Sequence, residues 1–425
     1  MLLIKNGCMI DPASGTEGIR NILIKDGKVA EILDAETDDE TIRNAERVID
    51  ATGMIVAPGL VDAHVHFRDP GFTAKEDILT GGEAAKAGGF TSVIMMGNTE
   101  PHMDNEETIK YALEKGKKTG IKVYTCGNIT VNMDGKSITN MDELLNAGAV
   151  LFTDDGKPIV DAAIMEVACK ESARLSKVLS LHEENPEYIT ENGINAGDVA
   201  QKLGLTGSPR QAEISMVERD IEIAEKTGAE LTIQHISTKE AVELIRNARR
   251  TNKKIHAEAT PHHFTLTDEA VLAHGTMAKM NPPLRKEEDR LAIIKGIADG
   301  TIETIATDHA PHTLQEKQQE FKKAPSGIIG LETSLGLGIR ELVHKGYMDM
   351  STLLSRMTVE PARIYGLDAG KIQVGGDADL VIFNENEMKC YDSFKSKAEN
   401  TPFKGENIPG KVHYTICRGE VVYEA

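Results

Sequence analysis

The sequence predicts an α/β protein, a (β/α)8 barrel of the TIM type with a small composite β-domain built from both chain ends. Three observations carry that reading. Strand-like and helix-like stretches alternate about eight times through the middle of the chain. The two ends are strand-rich and resemble one another. In the middle strands the polar residues gather at the C-terminal end, the face on which barrels of this kind keep their active sites.

At the N-terminal end, LLIKNG, NILIKDGKVAEIL and RVIDATGMIVAPG alternate apolar and polar residues around DG and TG turns. GKIQVGGDADLVIFN and KVHYTICRGEVVY do the same at the C-terminal end. Residues 1–55 and 368–425 are therefore assigned to one β-sandwich-like domain, and residues 56–367 to the barrel. The barrel strands are expected in GLVDAHVHF, SVIMMGN, KVYTCGN, AVLFTDDG, VLSLHEE, LTIQHIS, KIHAEATPHH and TIATDHAPH. Helical patterns such as DAAIMEVACKESARLS and KEAVELIRNARR lie between most of them. A doubly wound open sheet is the alternative, weakened because no G-x-G-x-x-G opens a helix.

A chain of 425 residues has room for one large barrel and an appendage. Its net charge of −19 argues against nucleic acid or an anionic membrane surface as partner. Aromatic residues at 4% and the absence of Trp argue against stacking on bases. If the substrate is an anion, a metal or an arginine must supply positive charge locally. The five cysteines (Cys8, Cys126, Cys169, Cys390, Cys417) form no C-x-x-C pair, which disfavours a disulfide framework or thiolate zinc site and suits a reducing cytosol. MLLIKNGCMIDP reaches Lys5 too early for the apolar region of a signal peptide. No apolar run approaches the ~20 residues of a membrane-spanning helix. A soluble, cytoplasmic protein is expected.

In VDAHVHFRDPG, His64 and His66 stand two apart on a strand and project from one face. A single histidine on an apolar strand is more often a hydrogen-bonded core residue. Two at this spacing before a charged loop present two nitrogens to one cation. His182 in LSLHEE and His235 in LTIQHIS end later strands, ATDHAPH supplies Asp308, and FTDDG supplies Asp154 and Asp155. Adjacent strand residues point to opposite faces, so one of that last pair faces the barrel mouth; geometry alone does not choose which. Four imidazoles and two carboxylates without thiolate suit Zn²⁺, enough for a two-metal site and metal-assisted hydrolysis or its reversal.

DAHVHFRDPG, GNTEP, FTDDG, AEATPHHFTLTDE, KMNPPLR, ATDHAPHT and KAPSGIIGLET together resemble the class I (bacterial-type) dihydroorotases of the amidohydrolase superfamily. D-x-H-x-H alone marks the superfamily, whereas KMNPPLR with DHAPH is sharper. The resemblance runs over almost the whole chain. It implies reversible cyclisation of N-carbamoyl-L-aspartate to L-dihydroorotate plus water, in de novo pyrimidine biosynthesis. It also implies two Zn²⁺ per subunit and a bridging hydroxide. His64, His66 and Asp308 would hold one ion, His182 and His235 the other, and Asp155 would bridge them. Asp308 would serve as general acid and base, leaving Asp154 a structural or orienting role. Arg68, Asn98 and His312 correspond to substrate-carboxylate contacts, and Asn281 to a contact with the ring amide. The resemblance further implies a homodimer and leaves association with aspartate transcarbamoylase open.

Some positions depart from the family pattern. Phe67 stands where the family usually has Leu, Gly97 where it has Pro, and Ser326 where a large apolar residue lies near the substrate. Ser326 and Gly327 are counted as substrate-binding, the glycine because it lets backbone approach closely. The polar stretch from Thr313 to Gly327 reads either as a lid or as a solvated loop. His309 is expected behind the ligands. His262 and His263 are read as structural, since neighbours on a strand point apart. His102, His256, His274, His344 and His413 are read as ordinary structural or surface residues.

The nearest rivals are the hydantoinases, dihydropyrimidinases and allantoinases, relatives that bridge their metals with a carboxylated lysine. Here the matching position offers Asp154 and Asp155, and Lys157 lies beyond Gly156. A non-catalytic scaffold for the transcarbamoylase is the other alternative; such chains lose metal ligands, and this one keeps all six.

Overall fold

The computed structural model describes residues 1–36 and 45–425. Residues 37–44, within the stretch assigned to the β-domain, lie outside the described residues.

Strands from both chain ends hydrogen-bond into one sheet. β1 (Leu2–Asp11), β2 (Thr16–Lys25), β3 (Lys28–Asp34), β4 (Arg47–Asp50) and β5 (Ile55–Pro58) come from the start of the chain. β5 pairs in parallel with β1 and antiparallel with β13 (Leu380–Asn384), and β13 leads to β16 (Lys411–Cys417) and β17 (Glu420–Glu424). Between these come the barrel strands, and after β13 a short ribbon of β14 (Lys389–Cys390) and β15 (Asn407–Ile408). Alternate residues of the large sheet (Leu2, Ile4, Ile22, Ile24, Leu380, Ile382) bury a separate apolar core.

The middle of the chain closes a ring of parallel strands. β6 (Leu60–Val65), β7 (Phe90–Met95) and β8 (Lys122–Thr125) form one arc. β9 (Val178–Leu181), β10 (Glu230–Ile233), β11 (Ile255–Ala259) and β12 (Thr304–Ile305) form the other. Phe152 joins the arcs by parallel bridges to Gly127 and Leu179, and Val65 to His309 closes the ring. FTDDG thus occupies the fourth barrel position, though only Phe152 makes bridges there. Strands of a parallel barrel are covered on both faces and read as continuous apolar runs; β6, β7, β9 and β11 are buried at every position.

The covering helices follow from capping and periodicity. Thr238 caps Lys239–Ala248 by accepting from the Ala241 N–H, and Ala241, Val242, Ile245 and Ala248 line its buried face. Gln211–Thr227 ends at Gly228, whose φ of 76° only glycine adopts freely. KIHAEATPHH is not strand throughout: β11 stops at Ala259, and Thr260 with Pro261 starts a short helix, Pro261–Thr265. His262 and His263 therefore lie on a helix, where His263 bonds Thr260 Oγ1 (2.7 Å) and the Pro282 carbonyl (3.0 Å). Among the described residues no helix is long and apolar enough to cross a membrane.

Candidate metal centre and substrate pocket

His64 and His66 sit at the C-terminal end of β6, with ring centroids 5.2 Å apart. Asp62 fixes this end: it accepts from the His64 N–H (3.0 Å) and from the Thr307 hydroxyl (2.6 Å), tying the first barrel strand to the last. Asp155 follows Phe152 by three residues and precedes Gly156, whose φ of 77° turns the chain away. His182 follows β9, His235 follows β10 and Asp308 follows β12. Three of the residues gathered here, Arg68 (φ 58°), His235 (φ 31°) and Asp308 (φ 47°), have a left-handed backbone although none is glycine. Such strain persists where surrounding structure enforces it, and it clusters at functional sites.

The donor atoms form two groups with one shared member. His64, His66 and Asp155 each offer a ligand atom within 4.8 Å of the others, and so do Asp155, His182 and His235. Asp155 Oδ1 lies 3.5 Å from His64 Nε2, 3.6 Å from His182 Nδ1 and 3.7 Å from His235 Nε2; its Oδ2 lies 3.3 Å from His66 Nε2. Asp308 Oδ1 is 3.0 Å from His66 Nε2 and 3.6 Å from His64 Nε2. His64 Nε2 is buried with no hydrogen-bond partner, although it faces two carboxylates. His182 Nδ1 and His235 Nε2 face one another at 3.0 Å. This set of imidazole nitrogens and carboxylate oxygens, converging without cysteine, fits a metal site.

Electrostatics agree with a cation at this place. Burial alone would raise the Asp155 pKa, yet His64, His182 and His235 hold it well below the carboxylate range. Burial opposes charge on His182, but Asp155 and Glu184 push its pKa up to about 10. Burial likewise opposes charge on His64, and Asp155 and Glu258 overcome it. The carboxylates thus draw positive charge inward, as they would a metal ion.

Asp154 has a different environment from its neighbour. Its carboxylate accepts from the Ile129 N–H (2.8 Å) and the Thr130 N–H (3.1 Å), and from the Thr130 hydroxyl, so it binds the loop after β8. Burial raises its pKa to about 6 against those hydrogen bonds.

A cavity of about 160 Å³ opens over the cluster. His66, Arg68, Asn98, Asp155, His182, His235, Asn281, Asp308, Ser326 and Gly327 line it, with His64 fully buried beneath. Arg68 makes no ion pair among the described residues; Nε donates to the Pro311 carbonyl at 3.4 Å. His312 lies behind it. His312 Nε2 donates to the Ser326 carbonyl at 2.9 Å, so this nitrogen cannot also accept from Arg68 Nη2, 3.4 Å away. Burial and the charges of Arg68 and Lys75 press the His312 pKa down to about 2, so it is neutral. Asn281 Oδ1 and Ser326 Oγ are buried without a hydrogen-bond partner among the described residues. Asn98 Oδ1 accepts from His66 Nδ1 at 2.9 Å, so this residue also orients His66. A Cβ at Gly327 (φ 132°) would come within 2.9 Å of Ala310, so close packing also requires this glycine.

Several participants were not singled out from the sequence. Glu258 meets His64 Nδ1 at 2.7 Å, Glu184 meets His182 Nε2 at 3.2 Å, and Lys279 and Lys317 hold the loop that carries Ser326 and Gly327. A signal was present for the glutamates. Glu258 is a charge within an apolar strand, and Glu184 stands two residues past His182. His309 accepts from the Gly330 N–H at Nδ1 (3.1 Å) and stays outside the cluster.

A family model described as dihydro-orotase-like matches residues 53–241, and an amidohydrolase family model matches residues 332–423. Among solved structures, an L-hydantoinase (dihydropyrimidinase) from Arthrobacter aurescens superposes with a TM-score of 0.87 at 28% identity, covering 100% of this chain and 96% of that one. A D-hydantoinase (dihydropyrimidinase) from Thermus sp. gives 0.83 at 25% identity, covering 100% and 96%. Sequence relatives are closer. The dihydroorotase of Lactococcus lactis subsp. lactis is 48% identical, covering 100% of this chain and 99% of the relative. That of Clostridioides difficile is 52% identical over 425 residues and the full length of both proteins. With that identity sustained from end to end, the chain belongs to the dihydroorotase family, hydrolases acting on cyclic amides.

Proposed function

We propose that this protein interconverts N-carbamoyl-L-aspartate and L-dihydroorotate, with Zn²⁺ as its metal and two ions per subunit. His64, His66 and Asp308 would hold one ion, His182 and His235 the other, and Asp155 both. The observation that carries the substrate assignment is Arg68, a guanidinium with no ion-pair partner among the described residues, lining the same cavity as the cluster. Its planar fork matches a carboxylate bidentately, which dihydroorotate has and unsubstituted hydantoin or dihydrouracil lacks. Asn98 adds an amide to the cavity that Arg68 lines, and His312 supports the wall behind Arg68. Asn281 Oδ1, an acceptor without a partner, suits a ring N–H.

When bound, the two cations supply Lewis acidity toward the amide carbonyl and acidify water. The chain's part in hydrolysis is proton transfer. Water adds to the ring carbonyl carbon, the carbon–nitrogen bond breaks, and the ring nitrogen gains a proton. Asp308 takes the proton from the water and delivers it to that nitrogen; cyclisation reverses the path. Asp308 begins ionised, as a proton acceptor must, because His66 and His64 overcome burial and hold its carboxyl below the usual range.

The test is an assay of the metal-loaded protein on dihydroorotate, hydantoin and dihydrouracil, with Asp308→Ala alongside. Dihydroorotate turnover falling about 10²–10⁴-fold in the variant is expected for loss of a general acid–base. Good turnover of hydantoin or dihydrouracil with none of dihydroorotate would transfer the protein to the hydantoinase reading, which the superposition on L-hydantoinase makes the natural alternative.

A further inference from the structure

We propose that Glu258 is a positioning residue that sets the tautomer of His64 and couples the two halves of the metal cluster. This role rests on the metal reading above and adds a residue to it. Glu258 lies on β11 and is completely buried. Its Oε1 faces His64 Nδ1 at 2.7 Å and also accepts from the main-chain N–H of His235 at 3.3 Å. One carboxylate oxygen therefore touches a histidine from each three-residue donor group. With the proton on Nδ1, the only nitrogen His64 can offer a cation is Nε2, the atom left buried and without a partner beside Asp155 and Asp308. The second contact falls on the strained backbone of His235, which holds a φ of 31°. Glu258 Oε2 has no partner among the described residues, and Glu258 forms no ion pair with Lys or Arg there.

Glu184 repeats the device from the other side. Its Oε2 lies 3.2 Å from His182 Nε2, and its Oε1 accepts from the Ser208 hydroxyl at 3.3 Å. That contact leaves His182 to present Nδ1, opposite to His64. The two glutamates thus account for the two histidines offering different ring nitrogens.

The test measures metal binding apart from turnover. Wild type, Glu258→Gln and Glu258→Ala are titrated with Zn²⁺ against a competing chelator, and the visible spectrum of each Co²⁺-loaded protein is recorded. Kinetics on dihydroorotate follow at saturating Zn²⁺. Glu258→Ala is expected to weaken the metal about 10–100-fold, and to alter the Co²⁺ spectrum. Glu258→Gln keeps an acceptor for His64 and loses the charge, so it is expected to fall between the two. KM at saturating metal is expected to stay near wild type, because Glu258 does not line the cavity. If Glu258→Ala does not fold, Glu258→Gln decides, with a weakened metal supporting the role. Wild-type affinity and spectrum in a folded variant would overturn it, whatever substrate the enzyme turns over. A wild type that binds metal but ignores dihydroorotate would overturn the substrate assignment alone.

Discussion

The two walls of the pocket are built differently. On the metal wall, side chains project from the ends of buried parallel strands, and carboxylates face imidazoles: Asp155 and Asp308 against His64, His66, His182 and His235. On the opposite wall the chain segment Pro325–Gly327 is held from behind by lysines. Lys317 Nζ donates to the carbonyls of Pro325 (3.0 Å) and Gly327 (3.1 Å), and Lys279 Nζ to those of Phe321 (2.8 Å) and Ala324 (2.7 Å). Both lysines are buried, and neither has a carboxylate partner among the described residues. The metal wall thus owes its geometry to residues that also meet the chemistry. The loop wall owes its geometry to residues that do not line the cavity; Lys317 clamps the segment, while Leu314, Gln318, Lys322 and Lys323 stay exposed.

The largest expected effect is on the metal wall. Asp155→Ala removes the carboxylate common to both donor groups and is expected to lose metal as well as activity; metal analysis after dialysis, with full retention, would refute the shared role. Arg68→Met comes next. Loss of a charge-assisted contact costs about 1.5–3 kcal/mol, so KM for dihydroorotate is expected to rise roughly 10–100-fold with Zn²⁺ content unchanged. A loss of Zn²⁺ instead would mean that Arg68 supports the metal wall.

Lys317 probes the other wall through pH. Burial, reinforced by Lys279, lowers its pKa to about 7 in the folded protein, against 10.5 ordinarily. Between those values the unfolded chain binds more protons than the folded one, so this group makes stability rise with pH across that window. Denaturant titrations at pH 7 and pH 10 are expected to show the rise in wild type and less of it in Lys317→Met. Equal pH dependence in the two would dissociate Lys317 from the loop's stability. The smallest effect is expected from Asp154→Asn, which keeps an acceptor for the Ile129 N–H. Its cost is about 1–2 kcal/mol of stability, and metal analysis is expected to find Zn²⁺ retained. Loss of metal there would erase the distinction between the adjacent aspartates.

The metal wall was largely legible in the sequence and the loop wall was not. The i, i+2 spacing of His64 and His66, the histidines closing later strands and the aspartates before Gly156 and His309 are local patterns, and parallel strands carry such residues to one face. Choosing Asp155 over Asp154 needed more than spacing, and the family pattern supplied it. Lys317 reads in sequence as one more charge in a polar loop, because its acceptors are main-chain carbonyls that any residues would provide. TPHH reads as the continuation of a strand until Thr260 and Pro261 are recognised as a helix start.

By itself, then, the sequence determined the alternation of strand and helix, the alike ends, and the set of imidazoles and carboxylates available to a cation. Tertiary structure alone decided which nitrogen His64, His182 and His66 present, through Glu258, Glu184 and Asn98, and which lysines hold the loop. The physical reason is range. Periodicity and spacing act over a few residues, whereas a hydrogen bond from His64 to Glu258 joins positions 194 residues apart, and its existence follows only from the closure of the barrel.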